Sequence, residues 1–327
     1  MSTFPFLSLP VLAQNVILKN LTIEDLIFLS ICSKRAYCYV KTANITLRRI
    51  KLEFDNLPSI LVEYPYGKYM HFSVSKWNAV WESNRFSKIT LNGVKILWIH
   101  GGSLLPFYTE RVTPEQTLEL VIKYFWELFR VNKLDVCLRP GLIKNFFLWK
   151  MTKSINELEI DSVCFPILRA SGAEVKFAVE DLNVKILKII PSCRYSYEDG
   201  LKQEEVYIEK AFWLHVNALL NSESSRIWLS FPRFDSFDLN LFVKNWLAGI
   251  GLENFKHLFI TYRKGRFIEG FQEKVLEGIE TVKWDPRNRP ESFEEHNLGT
   301  GRDFKRADGT WATVRVDEEN FIFHVWK

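Results

Sequence analysis

Cysteine is scarce in this chain. Five thiols, Cys32, Cys38, Cys137, Cys164 and Cys193, are spread over 327 residues. An odd number at such spacings excludes a disulfide framework and offers no metal-ligand pattern. Free, mostly buried thiols in a reducing compartment, cytoplasmic or nuclear, are the expectation. An excess of one charge is also missing. A net charge of +4 is too small for an electrostatic footprint on nucleic acid or a membrane surface. No long apolar run is free of charge either. The most apolar helical stretch, TLELVIKYFWELFR, carries Glu119, Lys123 and Glu127, too many for a membrane span. Phe4 to Ala13 is apolar, yet no basic residues precede it. Pro5 and Pro10 interrupt it and no small-residue cleavage site follows, which argues against a signal peptide. The expectation is a soluble, intracellular protein without a nucleic-acid or membrane partner.

Signatures of catalysis are lacking too. There is no G-x-x-x-x-G-K-[ST] loop, no G-x-S-x-G elbow and no H-E-x-x-H helix. Gly101-Gly102 follows a strand-like run, but no third glycine opens a helix, so a turn is expected rather than a phosphate cradle. His215 reads as a core or half-buried histidine, and His257 and His324 lie in strands without a paired acid. Cys32 and Cys38 lie six apart on one expected helix and point to different sides, as buried apolar residues rather than a redox or metal pair. No catalytic residue, cofactor or metal site is expected.

What the chain does have is aromatic bulk. With 26 Phe and 11 Trp it can fill a large aromatic core, and its length suits roughly two domains. Near the N-terminus runs LPVLAQNVILKNLTIEDLIFLSICSKR, Leu9 to Arg35. Leu9, Leu12, Ala13, Val16, Ile17 and Leu21 fall at spacings of three and four, one stripe of a helix starting near Pro10. Thr22 and Asp25 mark the start of a second helix, with Leu21 and Leu26 in the staple positions. Along that helix Leu26, Leu29, Ser33, Tyr37 and Val40 share a face, and Ile27 and Ile31 lie around the side. Apolar residues thus cover more than one face of this pair.

From Ile45 to Gly102 the pattern turns strand-like, in ITLRRIKLEF and SKITLNGVKILWIHGG. PYGKY, from Pro65 to Tyr69, reads as a turn. A small antiparallel piece is expected here, followed by a loop through Pro106. Thr113, Pro114 and Gln116 then spell a capping box for a helix from Pro114 to Arg130. Short β-type runs follow: LDVCLRP, NELEIDS, VKILKIIPS, RIWLSFP, FKHLFITYRKG and TVKWDP. Helical stretches separate most of them: GLIKNFFLWKMTK, EEVYIEKAFWLHVNALL, DLNLFVKNWLAG and FIEGFQEKVLEGI. Asp235 or Ser236 should begin the third of these and Gly249 end it. Trp213 and Trp246 are expected in the core. Strand, helix, strand in succession implies right-handed crossovers and a mainly parallel sheet. Asp308-Gly309 between two alternating runs predicts a type I′ hairpin, and a second turn at Asp317–Asn320 leads into FIFHVWK. That hairpin should cover a sheet edge. The fold class is α/β, or α+β overall. The expected architecture is a degenerate leucine-rich-repeat-like sheet with antiparallel strands at both ends; a flat doubly wound sheet is the alternative.

The opening segment resembles an F-box. Leu9-Pro10, Ile17-Leu18, Leu21, Asp25-Leu26 and Ser33-Lys34-Arg35 match that family's pattern without a gap. Leu12 stands where an acidic residue is common, and the aromatic usual after Ser-Lys-Arg is displaced to Tyr37. A helical hairpin packed on its own domain is the alternative reading. A second stretch is similar to the type 2 F-box-associated domain. Asp238-Leu239-Asn240, Phe242, Lys244, Trp246, Gly249, Leu258 and Ile260 match it in order. Arg306, Asp308-Gly309, Ala312 and Val325-Trp326 also look like such proteins.

The resemblance implies an F-box at 1–46 and an F-box-associated α/β domain at 47–327. Within the latter, 47–105 would be a β-rich first segment, 110–290 the strand–helix repeats and 300–327 the hairpin cap. It implies a non-catalytic, substrate-recruiting subunit of a cullin–RING (SCF-type) ubiquitin ligase. Leu9, Pro10, Val16, Ile17, Leu21, Leu26 and Leu29 would dock a Skp-type adaptor, and through it a cullin, with Ser33 and Lys34 at the polar margin. A protein target would bind exposed strand positions and loops at strand ends, where Arg233, Phe234 and Tyr262 are candidates. The basic run Arg263-Lys264-Gly265-Arg266 reads as a solvated turn rather than a phosphate contact. The competing readings are an α/β enzyme with a dispersed active site and a repeat-type binding module without ligase coupling.

Overall fold

The local signals around residues 10–45 produce three helices. In the computed structural model, which describes residues 6–54, 58–64, 68–76, 86–91, 94–99, 104–109, 113–161, 168–265, 270–287 and 289–326, α1 spans Val11–Asn20, α2 Ile23–Cys32 and α3 Lys34–Thr42. The Thr22 hydroxyl accepts the Asp25 N–H at 3.1 Å and donates to the Asp25 carboxylate at 2.7 Å. The expected single second helix is broken at Ser33. Its backbone is extended and its hydroxyl accepts the Ala36 N–H at 3.1 Å, so Ser33 caps a new helix. Cys32 and Cys38 therefore sit on different helices. Both are exposed, contrary to the expectation of buried thiols; Cys137 is half-buried and Cys193 buried. Cys164 lies outside the described residues.

Two compact units divide the chain, Met1–Cys137 and Leu138–Lys327. In the first, the helices precede the strands β1 Thr46–Leu47, β2 Arg49–Phe54, β3 Ser59–Tyr64, β4 Lys68–Lys76, β5 Phe86–Leu91, β6 Val94–Ile99 and β7 Leu104–Thr109. They are followed by α4 Pro114–Leu128, β8 Arg130–Val131 and β9 Leu134–Leu138, which runs up to the division. Strands β2, β3 and β4 pair antiparallel, as do β5, β6 and β7. The two sets join through a parallel β4·β7 pair, so the stretch around Pro106 is a strand and not a loop. Pro106 lies just beyond the last residue of β7 registered with β6, where its missing N–H breaks no ladder bond on that side. The expected turn over PYGKY and the Gly101-Gly102 pair fall, in whole or in large part, outside the described residues.

Helix α4 carries the predicted capping box in full, with Thr113, Pro114 and Gln116 in their expected places. It buries Leu118, Val121, Ile122 and Phe125, and Phe125 meets Phe72 of β4 edge-on at 5.5 Å. It also holds the N-terminal helices. Ser30 of α2 shares a 2.7 Å hydrogen bond with the Tyr124 hydroxyl, and the Tyr37 hydroxyl of α3 donates to Glu127 at 2.6 Å.

In the second unit, β10 Ser154–Ile160, β11 Asn183–Ile189, β12 Glu205–Ile208, β13 Arg226–Ser230 and β14 His257–Thr261 form a parallel array in sequence order. Leu187, Val206, Ile227 and Leu258 stand in register on one buried face, as do Ile189, Ile208, Leu229 and Ile260. The intervening Lys188, Tyr207, Trp228 and Phe259 form a half-buried row on the other face. This one-sided alternation matches the expected mainly parallel sheet with helices on one side.

Several crossovers differ from expectation. Residues 143–150 form two short 3-10 turns instead of an α-helix. Helix α5, Gly172–Lys176, was not foreseen; Ser171 and Glu174 form its capping box. Glu205–Ile208, read as helical, is strand β12. The helix that follows it is only α6, Val216–Leu220, with exposed His215 as its cap through Nδ1. Lys210, with φ of 53°, turns the chain between them. The repeat from β11 to β12 has no helix at all among its described residues.

Helix α7, Ser236–Ala248, is as predicted. Asp235 caps it and left-handed Gly249 (φ 70°) ends it. Leu239, Phe242 and Trp246 sink into an aromatic core with Phe255 and Phe323, at centroid distances of 5.2–5.3 Å. Asn240 donates to the carbonyls of Val275 and Glu277, tying down the end of α8, Phe271–Val275.

The chain finishes with β15 Val282–Lys283, a small hairpin of β16 Ser292–Phe293 and β17 His296–Asn297, then β18 Arg302–Lys305, β19 Trp311–Val316 and β20 Asn320–Trp326. β20 covers the edge at β14 in antiparallel register. The turn at Asp308-Gly309 is not type I′. Gly309 has φ of 93° but Asp308 is not left-handed, and the Gly309 N–H donates to Arg306 O at 3.0 Å. That is a type I turn closed by a left-handed glycine, the pattern of a longer hairpin loop. TVKWDP gives only β15, antiparallel to β18 rather than a further parallel repeat.

Candidate functional site

Helix α1 presents two faces. Gln14 and Leu18 point inward, 2 % and 0 % exposed, and the Gln14 amide donates to Leu9 O at 2.8 Å. Val11, Leu12 and Val16 point outward at 64 %, 81 % and 62 % exposure. Of the residues expected at an adaptor surface, Pro10, Val16, Ser33 and Lys34 are exposed, and Leu9, Ile17, Leu21 and Leu29 are half-buried. Leu26 is enclosed, at 1 % exposure. It belongs to the packed interior with Ile23 and Ile27, because α2 turns its leucine face toward its own unit. Tyr37, the displaced aromatic, is occupied by Glu127; burial first, and then that carboxylate, push its hydroxyl pKa up. Val11 and Leu12 lie outside the expected contact set, although the spacing places Leu12 on the apolar stripe. Their signal was the excess of apolar positions over what one stripe can bury.

In the second unit the candidates Arg233, Phe234 and Tyr262 separate. Arg233 is exposed, 5.9 Å above the Phe212 ring, whereas Phe234 and Tyr262 are each 2 % exposed. Both follow a strand end and are buried; Phe234 nevertheless reaches the wall of the same cleft as Arg233, whereas Tyr262 does not line it. Around Arg233 lies an open cleft of about 490 Å³ lined also by Arg169, Arg194, Tyr195, Phe212 and Trp213. Tyr195 packs so closely on the first turn of α5 that a Cβ at Gly172 would meet its ring at 2.4 Å. Asp238 is the acidic residue described in the lining, and its carboxylate accepts the Asp235 N–H at 3.1 Å. Beyond the cleft Arg263 lies 5.9 Å above the exposed Phe231. Arg266 is outside the described residues.

The half-buried face of the sheet offers a second surface. Lys188 bridges to Glu157 at 2.8 Å and sits 5.7 Å over Tyr207, which stacks on Trp228 at 4.2 Å. Toward β20 this face is covered by the chain itself. His296 stacks on Phe259 at 4.5 Å and Phe293 on His324 at 3.8 Å. His257, 0 % exposed beneath them, faces His324 with their Nδ1 atoms 3.3 Å apart. Burial foremost lowers both pKa values, His257 to about 3 with help from the neighbouring His324, and His324 to about 4 with help from Arg226. Both are neutral at physiological pH. Among the described residues, no helix is long and apolar enough to cross a membrane.

The family model described as F-box domain matches residues 6–48, and the one described as F-box associated matches residues 201–260. The uncharacterized protein F59B2.8 of Caenorhabditis elegans is 24 % identical over 349 aligned positions, covering 99 % of this chain and 78 % of that protein. The uncharacterized F-box protein C05B5.5 of the same organism is 30 % identical over 105 positions, 31 % of this chain and 27 % of that one. The E3 ubiquitin-protein ligase hecw-1, also from C. elegans, is 22 % identical over 280 positions, 75 % of this chain and 22 % of that protein. No solved structure matches this chain.

Proposed function

Because this chain is an F-box protein with an F-box-associated domain, we propose that it recruits substrates to a cullin–RING (SCF-type) ubiquitin ligase. In this reading its N-terminal helices dock a Skp-type adaptor, and through it a cullin, while the C-terminal domain holds a protein target. The observation that carries the reading is the apolar surface of Val11, Leu12 and Val16, which stands open within the residues matched by the F-box family. Covering three such side chains supplies roughly 3–6 kcal/mol of gross driving force, part of which association costs cancel. Leu9, Pro10, Ile17, Leu21 and Leu29 would extend the contact, with Ser33 and Lys34 at its margin. The chain itself would do no covalent chemistry. It would raise the local concentration of a target beside a ubiquitin-charged enzyme.

Co-expression of the full chain with a Skp-type adaptor, followed by affinity capture, tests this. A stable complex is expected, and Leu12→Asp with Val16→Asp should weaken it at least tenfold. Both positions are exposed, so the thermal melting of the isolated double variant should match the parent. Leu26→Asp is an unsuitable probe, since it would place a charge in the packed interior. Equal adaptor capture by the parent and the surface double variant would overturn the docking model.

A further inference from the structure

The C-terminal ends of the parallel strands carry a basic, aromatic edge that runs from within the F-box-associated match, at Lys210 and Arg233, to residues on either side of it. Arg194 follows β11, Lys210 follows β12, Arg233 follows β13, and Arg263-Lys264 follow β14. All five are exposed. Among the described residues, no carboxylate forms an ion pair with Arg169 or Arg194. Two acids at this edge, Asp235 and Asp238, are tied to the first turn of α7 by hydrogen bonds to N–H groups. Glu209 follows β12, and the turn before β20 brings Asp317 (paired with Arg315), Glu318 and Glu319 to the β14 end.

Arg233 and Arg263 are held over the rings of Phe212 and Phe231. Stacking of this kind restrains a guanidinium on the face of its ring. Exposed aromatic faces lie between the charges: Tyr195 at 50 %, Phe212 at 38 % and Phe231 at 39 %. In the cleft wall the indole N–H of Trp213, buried to 5 %, has no acceptor among the described residues.

The geometry points to this edge as the docking site for an extended acidic segment of a partner protein. The argument for a run of carboxylates is one of length. Strands β11 to β14 are three neighbour steps, about 14 Å, the reach of four or five extended residues. Cations placed at each step match anionic side chains repeated along a peptide, whereas one phosphate would engage a single step. The interleaved aromatic faces give the peptide's methylenes and backbone an apolar bed, so that binding does not rest on charge alone. The inference deepens the target-binding half of the proposed function. It rests on that reading only for taking the partner to be a ligase target, and the peptide contact itself needs no adaptor.

Fluorescence anisotropy with the purified full chain and a labelled peptide bearing a run of glutamates and aspartates provides the test. Saturable binding that weakens with added salt is expected. Arg169→Glu with Arg194→Glu should reduce affinity by at least about tenfold. Lys185→Glu with Lys202→Glu makes the same change of charge elsewhere in the unit and should leave binding within about twofold of the parent. Absence of binding, or equal losses in the two double variants, would overturn the assignment. So would a phosphoserine peptide without other acids binding where the acidic run does not. Adaptor capture, measured on the same variants, stays at the parental level if only the target site is altered, so failure of one reading is distinguishable from failure of the other.

Discussion

Arg289 and Asp303 are both almost wholly buried, at 5 % and 2 % exposure. The guanidinium donates to both Asp303 oxygens at 2.8–3.0 Å, to the carbonyls of Leu298 and Pro290 at 2.9 Å, and lies 5.0 Å over the Trp326 ring. The Thr313 hydroxyl donates to the same carboxylate at 2.6 Å and accepts the Trp326 indole N–H at 2.7 Å. Removing one ion of such a pair strands the other in a low-dielectric interior. Arg289→Ala is therefore expected to cost about 3–5 kcal/mol, read as a fall in the urea midpoint with an unchanged slope. No feature of the sequence marks this cluster, because Arg289 lies outside any periodic segment and meets Asp303 only through the pairing of the C-terminal strands. Phe234 and Tyr262 teach the same lesson at the candidate site. A residue just past a strand end reads as a loop contact, yet whether it faces solvent depends on the direction in which the loop leaves.

The elements that were legible are those whose ends are written in a few adjacent residues. Thr113, Pro114 and Gln116 start α4, and Asp235 with Gly249 bounds α7, because caps are satisfied within one turn. Thr113→Ala removes one accepted N–H and should cost about 1 kcal/mol, measurable as a lower melting temperature. The misread elements are short and lack such ends. EEVYIEK has apolar residues compatible with either period over four residues, and β12 becomes a strand because β11 and β13 flank it in parallel register. Ser33 was read as one more residue of a helical face, when its preference for a cap divides α2 from α3. The parallel β4·β7 pair joins strands about thirty residues apart in sequence; local patterning carries no information on such a partner.

On the scale of the whole molecule, the two buried histidines couple stability to pH. In the unfolded chain both imidazoles take up protons near the ordinary value of 6.5; in the folded chain they do so only near 4 and 3. Between those limits the unfolded state binds more protons, so stability is full above about pH 6.5 and falls as the pH drops. A loss on the order of 2–4 kcal/mol between pH 7.5 and pH 5 is expected. The urea midpoint measured across that range checks it, and His257→Gln with His324→Gln should flatten the profile.

Residue order by itself determined the F-box-like opening, the capped α4 and α7, the alternation that gives the parallel strands one greasy face, and the closing hairpins. Each depends on contacts within a few positions, where propensity and hydrogen bonding act without help from distant chain. Tertiary structure decided the rest. It chose which α1 residues stay in water, sank Leu26, Phe234 and Tyr262, and set basic residues from four separate loops along one edge. Burial is a property of what packs from elsewhere in the chain, and a linear pattern contains the apolar surface but not the surface that comes to cover it.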